Sequence, residues 1–136
     1  MHKRVSFREA LSWGKLRDGE VNIGGTEYKP PKASVLELIL DEGLEAIKRV
    51  DNVALRAIAM FLFCAKCQFF WDGNKRTGRL MMNGILLDFG YPMLNIKAKD
   101  RLEFNTKMIE WYESDDIVPT AIYLLDYYKK QTLIYR

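Results

Sequence analysis

Between Val53 and Gln68 the chain is apolar on nearly every side of a helical wheel, with Ile58, Ala59, Met60, Phe61, Leu62 and Phe63 in unbroken succession. A helix of this kind has no face to give to water, so other elements must surround it. Asp51-Asn52 offers an N-cap at its start. On one side of it, Val35, Leu36, Ile39, Leu40, Leu44 and Ile47 recur at three- and four-residue steps, which predicts a helix over about 33–49. On the other side lies a polar break at Asp72-Gly73-Asn74. A third helix then carries Leu80, Met81, Ile85 and Leu86 and stops at Gly90, with Pro92 beyond it. A fourth is expected from about Lys99 to Tyr112, and Pro119 suits the first turn of a fifth ending near Lys130.

One segment departs from this pattern. Glu20 to Tyr28 reads Glu-Val-Asn-Ile-Gly-Gly-Thr-Glu-Tyr, two β-capable stretches flanking a dipeptide able to take positive φ at both turn positions. It predicts a two-stranded hairpin over about 20–29, ended by Pro30-Pro31. An isolated hairpin is marginal in water, so this one is expected to lie against something larger. There is no internal repeat, low-complexity tract or linker. The expectation is one all-α domain over residues 1–136 with a small β-hairpin.

Composition supports a core that needs no staples. Of 136 residues 49% are hydrophobic, and a chain of about 150 residues buries roughly 70% of its unfolded surface. The net charge of +3, from 21 basic and 18 acidic residues, is mixed along the chain. It forms none of the basic stripes of a dedicated nucleic-acid binder, so no nucleic-acid partner is expected. No apolar run approaches the roughly 18 residues of a membrane span. The basic N-terminus has no apolar stretch behind it, so no membrane partner and a cytoplasmic location are expected.

The single histidine, His2, excludes more. A Ser-His-Asp or Cys-His site would have to use the second residue of the chain, and multi-histidine zinc sites are ruled out. Cys64-Ala-Lys-Cys67 has CxxC spacing but lies in the apolar helix without a second pair, and reads as two core thiols. Trp111, Tyr112, Tyr123, Tyr127 and Tyr128 recur at near-helical steps and read as core and rim packing.

The chemistry is concentrated in Gln68-Phe-Phe-Trp-Asp-Gly-Asn-Lys-Arg-Thr-Gly-Arg79. A buried helix ends, a polar turn with Gly73 follows, and a new helix opens at once. Backbone N–H groups in such a turn converge on an anion nest, aided by the positive end of the new helix. Arg76 and Arg79, three apart, share one face of its first turns and suit bidentate phosphate recognition. Asp72 could hold Mg²⁺ through its carboxylate, as Mg²⁺ commonly accompanies phosphates. A plain helix start with solvated basic residues is the alternative, although cations beside a helix N-terminus oppose its dipole and call for a reason. The spacing is not that of a Walker A loop.

Phe70-Trp-Asp-Gly-Asn-Lys-Arg-Thr-Gly-Arg79 resembles the central motif of Fic domains, His-Pro-Phe-x-Asp-Gly-Asn-Gly/Lys-Arg-x-x-Arg. Val21 to Pro31 resembles the flap upstream of that motif, and Asn83 to Gly90 and Arg101 to Asn105 resemble segments after it. The resemblance implies a Fic-like helical fold and transfer of AMP from ATP to a Ser, Thr or Tyr hydroxyl of a target protein. By position it implies Mg²⁺ at Asp72, and phosphates at Gly73, Asn74, Lys75, Arg76 and Arg79. A target segment would add as a strand to the flap at Val21, Asn22, Ile23, Gly24 and Gly25. Phe70 would be a buried apolar anchor.

Two departures stand out. The family's catalytic histidine falls on Gln68, and the following proline on Phe69. Glutamine has no titratable group near neutral pH, so impaired transfer is expected. Lys75 replaces a glycine found in many AMP transferases; the Doc relatives, which phosphorylate their target, share the lysine but usually lack the second arginine. The alternatives to an impaired transferase are a binding or scaffold pseudoenzyme and a Doc-like toxin kinase. The family's inhibitory helix, Ser/Thr-x-x-x-Glu-Gly/Asn, is not matched by Ser6-Phe-Arg-Glu-Ala-Leu or Ser34-Val-Leu-Glu-Leu-Ile, so any brake is expected from a partner protein or from another part.

Overall fold

The computed structural model describes residues 15–133, and the fold follows from the central apolar helix. Among these residues five α-helices succeed one another: α1 Leu36–Lys48, preceded by a 3-10 turn at Ala33–Val35; α2 Val53–Cys67; α3 Asn74–Asp88; α4 Arg101–Ser114, preceded by a 3-10 turn at Ala98–Asp100; and α5 Val118–Leu133. Asn52 caps α2 as its position suggests, its Oδ1 accepting from the Leu55 N–H at 3.0 Å. Gly90, at φ +79, follows α3, and Pro119 sits in the first turn of α5.

α2 is the buried element, packed against α1, α3 and α5. Ala57, Ile58, Phe61, Leu62 and Ala65 meet Met82 and Leu86 of α3, Phe104, Met108 and Tyr112 of α4, and Leu124 and Tyr128 of α5 in one core. Trp111, Tyr123 and Tyr127 pack on its edge, so the aromatic series is packing. The close approach of α3 to α2 depends on Gly78, where a Cβ would stand 3.1 Å from the Cys64 Cβ. α2 carries two charges: Arg56 near its start donates to the Val50 carbonyl at 2.9 Å, and Lys66 near its end is sealed in. Its Nζ donates to Asp115 Oδ1 at 2.5 Å and to the Trp111 carbonyl at 3.1 Å, and stands 3.9 Å over the Trp111 ring. That arrangement supplies the hydrogen bonds and opposite charge a buried ammonium requires.

The hairpin is not formed. Among the described residues there is no strand, and residues 20–29 are irregular with a turn at Gly24-Gly25. Only Gly25 takes a positive φ, +83. One positive φ at the second turn position is the type II pattern, which splays the arms instead of twisting them into a ladder. The arms turn to the helices for partners. Thr26 Oγ1 donates to Glu113 at 2.9 Å, and the Tyr28 hydroxyl donates to the Lys66 carbonyl at 3.0 Å. The Tyr28 ring stacks on Tyr112 with centroids 6.0 Å apart. The expectation that this segment lies against a larger body therefore holds, while its β-structure does not. No helix among the described residues is long and apolar enough to cross a membrane.

Candidate functional site

α2 stops because Gln68 enters the left-handed conformation, φ 50, with its N–H bonded to the Cys64 carbonyl at 3.2 Å. Both polar atoms of the Gln68 amide help to shape this corner. Its Nε2 donates to the Ala65 carbonyl at 2.6 Å, and its Oε1 accepts from Asn74 Nδ2 at 3.1 Å. Asn74 then closes the loop: it accepts from the Phe70 N–H at 3.0 Å and donates to the Phe70 carbonyl at 2.8 Å. One buried side chain thus makes three hydrogen bonds across the motif.

Gly73, at φ +76, is the N-cap of α3 and brings no side-chain cap. The first rung of the helix runs from the Thr77 N–H to the Gly73 carbonyl at 2.9 Å. The amides ahead of it point out of the helix start, as every α-helix N-terminus requires. The residues of this helix start, Gly73 to Arg76, line a groove of about 300 Å³. Gln68 and the loop from Trp71 to Arg76 form one wall, and Asn22, Ile23 and Gly24 form the other. Folding therefore brings together two segments nearly fifty residues apart in sequence. Val21 and Gly25 are outside the groove lining; Gly25 backs onto Ile109.

The charged groups divide unevenly. Arg76 lines the groove and pairs with Asp72, one turn away, at 3.6 Å with both side chains about half exposed. A pair so exposed contributes roughly 0–1 kcal/mol, so it yields readily to a stronger partner. Arg79 is elsewhere. Its guanidinium lies 5.9 Å over the Phe104 ring and lines a separate cavity of about 80 Å³ with Asn83, Leu94 and Ile96. The two arginines share a helical face but not a cavity, because Arg79 is nearly one turn further along and leans on α4. Lys75 connects them: it lines the groove, and its ammonium is lowered first by burial and then by Arg79.

Phe70 is not the buried anchor. It is half-buried, whereas Phe69, at the position of the motif proline, is 2% exposed and meets the Phe63 ring edge-on at 5.0 Å. The left-handed turn at Gln68 directs Phe69 inward. Cys64 and Cys67 are half-buried free thiols, pushed by burial up to about 12 and about 11. They are poor nucleophiles at neutral pH. Among the described residues no three His, Cys, Asp or Glu side chains gather into a metal site. His2 and Ser6 to Leu11 lie outside the described residues. Sequence reasoning missed Arg17, which is 2% exposed and bonds to the Cys67 and Gln68 carbonyls at the end of α2; no periodicity or motif marks it.

Similarity to known proteins follows the same lines. A protein adenylyltransferase of Drosophila erecta is 28% identical over 99% of this chain. One of Drosophila grimshawi is 27% identical over 99%, and one of Caenorhabditis briggsae 27% identical over 76%. The chain spans 28%, 28% and 21% of the lengths of these three relatives. The family model described as Fic/DOC matches residues 1–86, more than half of the chain, and the chain belongs to the Fic/DOC family.

Proposed function

We propose that the groove binds ATP by its phosphates and that the chain is a single Fic-type domain for transfer of AMP to a protein hydroxyl, slowed by Gln68. The observation that carries this reading is the shared groove. A cap-free helix start, Lys75 and Arg76 face it from one side, and the 22–24 loop closes the other. Cations held at a helix N-terminus oppose the dipole, and an anion between them removes that conflict. In this reading the α3 amides and Arg76 take the phosphates, with Lys75 and Arg79 adding positive charge behind them. The 21–25 segment receives the target chain.

Asp72 fits a magnesium ion. It is a single carboxylate at the groove, and Mg²⁺ bound with phosphates commonly draws one or two protein carboxylates and completes its shell with phosphate oxygens and water. Such an ion would neutralise charge on the departing pyrophosphate. The target hydroxyl attacks the α-phosphorus, the bond to the β-phosphate oxygen breaks, and the hydroxyl proton must pass to a base. Gln68 cannot take it, and both of its amide atoms are already committed to Ala65 and Asn74. That commitment also favours a second reading, a nucleotide-binding scaffold in which the corner serves shape alone. Cytoplasmic location and restraint by a partner protein belong to the same proposal.

The test is an ATP and Mg²⁺ titration followed by incubation with target-containing lysate and labelled ATP. ATP should bind, and α-label should enter protein slowly or undetectably. Gln68→His should raise α-labelling by at least about 10²-fold, the lower range for a positioned base. A ring nitrogen can accept the Asn74 bond that Gln68 Oε1 accepts now. Strong labelling by the Gln68 form would refute the missing-base argument. Labelling from γ-ATP would point to a Doc-like kinase, and binding without labelling in either form to the scaffold.

A further inference from the structure

We infer that Arg17 is the positioning residue that sets the width of the groove, by fastening both ends of the 19–31 loop to the C-terminus of α2. The inference rests on the groove being the nucleotide site proposed above. The guanidinium reaches in two directions. Toward the motif, Nε donates to the Gln68 carbonyl at 2.5 Å and Nη2 to the Cys67 carbonyl at 3.2 Å. Toward the loop, Nη1 donates to the Gly19 carbonyl at 2.9 Å and Nη2 to the Pro31 carbonyl at 2.5 Å. Its own backbone N–H adds a bond to the Phe69 carbonyl at 2.9 Å.

These acceptors are all backbone, and each belongs to a segment that builds the groove. Cys67, Gln68 and Phe69 present their carbonyls where α2 ends and the chain enters the motif loop, at the negative end of the helix dipole. Gly19 and Pro31 bracket the loop that carries Asn22, Ile23 and Gly24. The planar fork is what permits one side chain to serve four carbonyls at once; lysine, with one nitrogen, cannot span them. Burial opposes the charge and lowers the Arg17 pKa, so the carbonyls are what retain it there. Farther along the loop, Thr26 and Tyr28 hold it to α4 and α2; at the end nearest the motif Gly19 packs on the Trp71 ring, and Arg17 supplies the hydrogen bonds to Gly19 and Pro31.

The experiment compares the wild-type chain with Arg17→Met, which keeps length without donors, and Arg17→Lys, which keeps the charge without the fork. Two quantities are read: ATP affinity with Mg²⁺, and amide hydrogen exchange of residues 19–31 against α5. Ile47→Ala, buried in α1 and lining neither the groove nor the Arg79 cavity, serves as the control for lost stability. Both Arg17 variants should bind ATP at least tenfold more weakly and exchange the 19–31 amides at least tenfold faster, with α5 unchanged. Ile47→Ala should leave ATP affinity within twofold. If Arg17→Met does not fold, Arg17→Lys carries the test. Wild-type affinity and exchange in the folded Arg17 variants would overturn the inference, as would an equal loss of affinity in Ile47→Ala. If the wild-type chain does not bind ATP, the nucleotide reading fails and the exchange of 19–31 alone decides whether Arg17 holds the loop.

Discussion

Asn74→Ala tests how the motif loop is held. The side chain is 5% exposed and makes three hydrogen bonds, one accepted from the Phe70 N–H and two donated to the Phe70 carbonyl and Gln68 Oε1. A typical intramolecular hydrogen bond contributes about 0.5–1.5 kcal/mol net, and an abandoned buried partner costs more than the mean. Phe70 is half-buried, so water replaces part of what is lost. The expected destabilisation is therefore about 2–3 kcal/mol, read as a lower urea midpoint at unchanged slope by circular dichroism. Asn74→Asp separates donors from acceptor. It keeps an acceptor for the Phe70 N–H but sets a carboxylate against two oxygens. The helix N-terminus returns only about 0.3–1 kcal/mol of that, so Asp should also destabilise. A loss below about 0.5 kcal/mol in Asn74→Ala would refute the argument that this side chain pins the loop, since that is the lower bound for one such bond.

Two glycines in helices should respond with opposite signs in the same urea assay. Gly84 has nothing within 4 Å of a built Cβ, so Gly84→Ala should stabilise by about 0.5–1 kcal/mol through helix propensity. At Gly43 the Cβ would fall 2.1 Å from the Phe63 ring, so Gly43→Ala should destabilise by about 1–2 kcal/mol despite the same propensity gain. Alkaline pH should also weaken the fold. Burial raises Cys64 to about 12, Cys67 to about 11 and Tyr112 to about 12, so the native state keeps protons that the unfolded chain releases. Their contribution is complete below the unfolded thiol value of about 8.5 and is lost as pH rises toward the folded values. The urea midpoint should fall steadily above about pH 9; a constant or rising midpoint from there to about pH 11 would contradict the burial of these groups.

The helices were legible because what specifies them is local. The apolar steps of α1, the Asn52 cap, the glycine beyond α3 and the proline in α5 act over one or two turns, and each did what its chemistry dictates. The motif loop was legible for a related reason: Asp72 to Arg76 are contiguous, so a helix start with two cations beside it could be read without knowing the fold. Family resemblance added an expected partner for that start, the segment around Gly24, from far upstream.

Tertiary structure decided whatever depends on a second segment. Gly24-Gly25 permits a hairpin, yet the arms bond to Glu113 and Lys66 instead of each other, because those partners come from packed helices and not from the turn. Arg76 and Arg79 look equivalent at a spacing of three, but Phe104 of α4 draws one of them out of the groove. Phe69 is buried and Phe70 is not because a single left-handed residue reverses which ring points inward. Arg17 lies outside any pattern. Its four acceptors come from positions 19, 31, 67 and 68, and only folding places those carbonyls around one guanidinium.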